Sequence, residues 1–197
     1  MKIASFIIPL SLIVAQAHAA VIYSGLKDFT ISNGFDGIYL DVDGGNLVGI
    51  DAVGWDVNPF FGGEGIVNSP AFQPVRTSSA IYAPVVNLAP GQTVGPTSVF
   101  GSGFNGSSTH LGITAGKFTS GSEGYLGFKL TTNANAGPYY GFMRVIFSNT
   151  GSAGKILDWS YQTSGEAITI SAVPEISHAS LPLICAASMV LRRRRRK

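Results

Sequence analysis

The run Asp41-Val42-Asp43-Gly44-Gly45 places carboxylates on alternate residues and ends in two glycines, with Asp51 and Asp56 following it. Calcium prefers several hard oxygen ligands on one side of a sharply turning backbone, and this pattern offers both. Asp41, Asp43 and Asp51 are therefore candidate ligands. A helical calcium loop opening at Asp41 would close on a glutamate at its twelfth position, which here is Ala52, so that form of loop does not apply. A β-hairpin turn, which uses Asp and Gly for backbone geometry, explains the same residues without an ion.

Trp55, Phe60, Phe61, Tyr139 and the neighbouring Tyr140 form a second group. Exposed flat rings stack on sugars, and Tyr and Trp add a polar handle. Rings of this kind also fill cores, so most of the group suits the interior equally well. Phe60-Phe61-Gly62-Gly63 reads as a loop and is where exposure is expected.

Residues for catalysis are scarce. Between the two end segments, His110 is the single histidine, with no Gly-x-Ser-x-Gly elbow beside it. There is no His-Glu-x-x-His pair for a catalytic zinc. Asp56 and Glu64 could serve as the carboxylates of a carbohydrate-active hydrolase, yet sequence leaves their separation open. His110 is expected at the surface or in a turn. The chain reads as a non-enzyme that needs no cofactor unless calcium is bound.

The elements that must position these residues are strands. Charged residues make up 12% of the 197, glycine numbers 25 and phenylalanine 12, a β-and-loop composition. Apolar and aromatic runs recur at 37–42, 47–57, 79–88, 97–101, 111–114, 124–132, 139–148, 156–162 and 167–172, separated by Gly, Pro, Asn and Ser. Short strands at such spacing indicate an all-β sandwich or barrel, and a single jelly-roll-like sandwich over residues 20–172 is expected. Residues 133–138 look like a hairpin loop. Leu157, Trp159 and Tyr161 alternate with Asp158, Ser160 and Gln162. Met143, Val145 and Phe147 lie opposite Phe142, Arg144 and Ile146, so that strand should be covered on both faces.

The formal charge of +2 is misleading, because seven of the thirteen basic residues lie at the ends: Lys2 and the block 192–197. Residues 20–173 hold six basic against ten acidic residues, a net of −4. That body carries no basic stripe, so no nucleic-acid partner is expected. Its lack of cysteine excludes disulfides there, the one Cys185 lying further on.

Both ends read as addresses. Lys2, the apolar run 3–14, and Ala17-His18-Ala19 form a signal peptide over residues 1–19, with Ala17 and Ala19 at the cleavage site. It directs the chain to the secretory translocon. At the other end, Val173-Pro174-Glu175 precedes an apolar segment, 176–191, and the cationic block 192–197. A short hydrophobic stretch backed by arginines halts in the inner membrane with its charges in the cytoplasm.

This tail, 173–197, resembles the PEP-CTERM sorting signal of Gram-negative bacteria, departing from it at Ile176, where a second proline is usual. The resemblance implies recognition and processing by exosortase, a membrane enzyme. It also implies transient membrane insertion, then a place at the cell surface, on the outer membrane or in the extracellular matrix. The family's association with exopolysaccharide-producing bacteria implies a structural matrix or biofilm role. The body, through Gly54-Trp55-Asp56-Val57-Asn58-Pro59, Gly124-Tyr125-Leu126-Gly127-Phe128, Tyr140-Gly141-Phe142-Met143-Arg144 and Asp158-Trp159-Ser160-Tyr161, is similar to those of other bacterial exported proteins with such tails. Three function classes stand: a non-catalytic surface or matrix protein, a calcium-assisted polysaccharide-binding module, and a carbohydrate-active hydrolase.

Overall fold

A computed structural model describes residues 20–50, 52–101, 103, 105–149 and 151–171. Ala17, Ala19, Val173, Pro174, Glu175 and Asp51 lie outside the described residues. Within them run β1 (Val21–Tyr23), β2 (Phe29–Ile31), β3 (Tyr39–Asp41), β4 (Asn46–Val48), β5 (Val57–Phe60), β6 (Gly65–Asn68) and β7 (Phe72–Pro74). The second half supplies β8 (Asn87–Leu88), β9 (Thr93–Val94), β10 (Asn105–Ser107), β11 (Glu123–Leu130), β12 (Tyr139–Ile146), β13 (Gly154–Gln162) and β14 (Ile168–Thr169). Among the described residues, helix is confined to the 3-10 turn Phe61–Gly63.

The fold is an antiparallel β-sandwich. Its larger sheet has the order β1-β13-β12-β11-β7, with β2 also on β13 and β8 also on β11. The second has the order β10-β6-β5-β3-β4. Between them lies the main core, with Leu40, Val57 and Ile66 from one sheet and Leu126, Phe128, Met143, Val145 and Trp159 from the other. The two-stranded sheet β14-β9 covers part of the larger sheet's other face. Under it Tyr140, Phe142, Val75, Val94, Ile168 and Ile170 form a second cluster.

β12 is thus apolar on both faces because it lies between two cores, Met143 and Val145 facing one and Tyr140 and Phe142 the other. The β11–β12 hairpin forms in register from Glu123↔Ile146 to Leu130↔Tyr139, and residues 131–138 make its loop. β13 departs from simple alternation. Its pairing with β12 shifts between Arg144 and Val145, so Ile156, not Leu157, enters the core with Trp159 and Tyr161. A bulge adds one residue and flips the side-chain sequence past it. The Leu157 carbonyl at this point accepts from the N–H groups of Lys27 and Asp28 at 2.8 and 3.2 Å.

Elsewhere the strands are shorter than the apolar runs. The stretch 47–57 divides into the end of the β3–β4 hairpin and the start of β5. From 79–88 just Asn87–Leu88 is strand, beside an isolated bridge Arg76↔Val85. Residues 97–101 contribute one bridge, Val75↔Phe100, and 111–114 one, Leu111↔Phe118. Proline and glycine at 84, 95, 96 and 112 interrupt these ladders, since neither sustains a regular strand.

Candidate metal centre

β3 and β4 pair from Tyr39↔Val48 to Asp41↔Asn46, leaving residues 42–45 as their turn. Val42 is buried in the main core, and its carbonyl accepts from Trp159 Nε1 at 3.1 Å. Val42 is held inward between Asp41 and Asp43, whose carboxylates meet beside it. Asp41 shapes the turn: its Oδ1 accepts from the Gly44 N–H at 2.7 Å and its carbonyl from the Gly45 N–H at 2.9 Å. A Cβ on Gly44 would lie 2.5 Å from Asp41 Oδ2, so a side chain there would displace the Asp41 carboxylate.

Asp56, one residue before β5, reaches the same point from below. It is 1% exposed, and its Oδ2 accepts from the Val42 N–H at 2.8 Å. Candidate ligand atoms of Asp41, Asp43 and Asp56 all lie within 4.8 Å of one another. The β11–β12 loop closes the fourth side. The Asn133 N–H donates to Asp43 Oδ2 at 2.9 Å, and its Nδ2 donates to Asp41 Oδ2 at 3.2 Å.

The negative charge gathered here is poorly compensated. Ion pairs among the described residues join Arg144 to Glu123 and Asp158, and Lys155 to Asp28, and none involves the three carboxylates. Lys27 Nζ lies 5.8 Å from the Trp159 ring centroid and near Gly45 of the same turn, without an ion pair to the three carboxylates. Burial pushes the Asp56 carboxyl up to about 7, and the nearby charges of Asp43 and Asp41 add to the rise, against hydrogen bonds from the Val42 and Asp43 backbone. Burial also raises Asp43, opposed by the Asn133 N–H. Among the described residues Asp43 Oδ1 is buried and accepts no hydrogen bond, and the neighbouring Asp41 carboxyl raises the Asp43 pKa further. The clustered carboxylate oxygens are a donor set suited to a hard divalent cation, whereas Asn133 faces them with N–H groups and holds them in place.

The hairpin and the carboxylate cluster are therefore the same feature. Asp41 and Asp43 lie together, and Asp56 supplies the third carboxylate. Asn133, ninety-two positions from Asp41, carried no sequence signal beyond its place in a hairpin loop.

The aromatic residues occupy separate places. Trp55, half-buried next to Asp56, meets Tyr39 edge-on at 5.4 Å. Tyr139 stacks on Tyr161 at 6.1 Å, whose hydroxyl pKa is raised by burial and then by Asp43. Phe60 and Phe61 are half-buried and join the exposed Phe35 in a triad with centroids 5.4 to 6.1 Å apart. Phe60 ends β5, so just Phe61 is outside a strand. Tyr140 is buried in the second cluster.

His110 lies in the interior, not at the surface. It is 0% exposed, packed edge-on to Phe118 and Phe147. Its Nε2 donates to the Gly63 carbonyl at 2.7 Å. This assigns the proton to Nε2 and leaves Nδ1, 3.4 Å from Ser107 Oγ, as an acceptor. Burial drives its pKa down to about 4. The apolar context of residues 110–118 was the available signal, but a polar residue amid Ser and Thr reads as exposed.

Fold and site together define an antiparallel β-sandwich with a three-carboxylate cluster at one hairpin turn. Set against family models, curated proteins and solved structures, the chain matches none.

Proposed function

We propose that the chain is an exported, non-catalytic cell-surface or matrix protein whose β-sandwich is a calcium-assisted binding module. The convergence of Asp41, Asp43 and Asp56, with Asp43 Oδ1 unsatisfied, carries the binding part of this reading. An ion there would neutralise a cluster that now raises the pKa of Asp56, and Asn133 would link it to the β11–β12 loop. Delivery rests on the two end segments: a leader for the secretory translocon, and a PEP-CTERM-like tail for an exosortase-type enzyme. Extracellular polysaccharide is the proposed ligand, since Trp55 stands beside Asp56 with part of its surface open, an aromatic face offers apolar surface to a sugar ring, and hydroxyl oxygens suit a hard cation.

Sedimentation of the purified protein with the producing organism's own extracellular polysaccharide tests this, in calcium and in chelator. Saturable binding that chelator removes, and that Asp43→Asn weakens at least about tenfold, is the expected result. Binding that ignores chelator would move recognition away from the carboxylates. No binding in either condition would leave a surface protein whose partner is another macromolecule.

A further inference from the structure

The sequence holds two Asn-Gly pairs, Asn33-Gly34 and Asn105-Gly106, and the fold treats them differently. An Asn-Gly pair is able to modify itself, because the glycine has no side chain to hinder attack by its nitrogen on the asparagine amide carbon. The attack needs an uncommitted N–H, an uncommitted amide and a backbone free to turn one toward the other. Asn105 and Gly106 have their backbone in β10, in register with Asn68 and Val67 of β6. The Gly106 carbonyl also accepts from Arg76 Nη1 at 3.2 Å.

Asn33 and Gly34 lie instead in the bend between β2 and β3, and both are exposed. Among the described residues neither the Asn33 amide nor the Gly34 N–H makes a hydrogen bond. A Cβ on Gly34 would meet nothing nearer than Ser32 Oγ, at 3.8 Å, so the approach is open. The bend also holds something. The Gly62 N–H donates to the Ser32 carbonyl at 2.8 Å and the Phe61 N–H to the Gly34 carbonyl at 3.0 Å. Residues 32–34 thus clamp the 3-10 turn Phe61–Gly63, and the Phe35 ring meets the Phe61 ring edge-on at 5.9 Å.

We propose that Asn33-Gly34 is a self-modification site whose conversion to isoaspartate loosens the Phe61–Gly63 turn. The Gly34 nitrogen attacks Asn33 Cγ, the Cγ–Nδ2 bond breaks, and the amide leaves as ammonia with the Gly34 proton. The cyclic imide so formed is opened by water at either carbonyl. Attack at Cγ restores the main chain and leaves an aspartate side chain. Attack at the main-chain carbon leaves isoaspartate, with the chain running through Cβ and Cγ. That isomer adds one atom between the Ser32 and Gly34 carbonyls, which then no longer match the adjacent N–H groups of Gly62 and Phe61.

The test is to hold the purified full chain in mildly alkaline buffer at physiological temperature. Samples taken over time are digested, and the peptides are weighed and assayed for isoaspartate. Position 33 should gain the mass of an amide-to-acid conversion at least about tenfold faster than position 105, which reacts only when β10 opens from β6. Gly34→Ala, for which there is room, should slow the gain severalfold, and Asn33→Gln should abolish it. The aged protein should unfold about 2–5 °C lower, the effect of one lost hydrogen bond, and be cut sooner near residue 61 in limited proteolysis. Fresh Asn33→Asp carries the charge on an unlengthened chain and should keep the original Tm. No gain at position 33, or equal gain at 105, would overturn the site. Isoaspartate with an unchanged Tm, or an equal fall in Asn33→Asp, would overturn the loosening.

Discussion

His110 shows how a single buried titratable group sets a limit on acid stability. Its imidazole is neutral in the folded protein, with a pKa near 4, while an unfolded chain restores about 6.5. Below 6.5 the unfolded state therefore binds the additional proton. Stability falls as the pH drops from about 6.5 to about 4, by on the order of 3 kcal/mol. His110→Gln can keep a donor toward the Gly63 carbonyl but does not titrate. Chemical denaturation across pH 7 to 4 should show a loss in the unaltered protein that is smaller by about this amount in the variant. Equal losses would mean that the acid response arises elsewhere.

Charged residues on the sheet surface differ sharply in worth for a similar reason. Asp158 is 2% exposed and accepts from Arg144 Nε and Nη2 as well as from the Tyr23 hydroxyl. Asp158→Ala leaves a mostly covered guanidinium with Glu123 as its remaining carboxylate and should cost about 1–3 kcal/mol. Lys155 and Asp28 are both largely exposed, and Lys155→Ala should cost less than about 1 kcal/mol. Urea denaturation of the two variants checks the contrast.

Among the elements, the 3-10 turn Phe61–Gly63 shows packing that leaves no room for a side chain. Gly62 has φ +68°, and a Cβ there would stand 2.1 Å from the Ser152 carbonyl oxygen. Its own carbonyl accepts from the Ser148 N–H at 2.9 Å and its N–H donates to Ser32 at 2.8 Å. Gly62→Ala must displace backbone in the β12–β13 connection and should cost at least about 2 kcal/mol, read as a lowered midpoint in thermal unfolding. The element scale also explains what could be read in advance. β11 and β12 were visible because they are long, adjacent in sequence and joined by one polar loop. β13 was visible too, but its bulge at Leu157 has no signature in alternation. β1, β2, β6 and β7 are three or four residues each and take their conformation from distant partners, which no local pattern records. The same applies to the metal centre. Asp41 and Asp43 announce themselves by spacing, whereas Asp56 and Asn133 join them through the pairing of β5 with β3 and the descent of the β11–β12 loop.

Across the whole molecule the carboxylate cluster is a joint between the two sheets. Asp41, Asp43 and Asp56 belong to the smaller sheet and its turns, while Asn133 and the Trp159 that holds Val42 belong to the larger. An ion bound there stabilises the sandwich by its affinity for the folded state alone, about 2.7 kcal/mol at a hundredfold excess over its Kd. For a body of this size that corresponds to a Tm rise of roughly 5–10 °C on adding calcium and its reversal by chelator. Asp56→Asn retains an acceptor for the Val42 N–H but removes the buried charge. It should therefore raise the calcium-free Tm while abolishing the calcium response. Asn133→Ala leaves the carboxylates in place and should keep a reduced response, with the 131–138 loop becoming more open to limited proteolysis. A Tm indifferent to calcium in the unaltered protein would reduce the cluster to a hairpin turn whose buried carboxyl is held protonated.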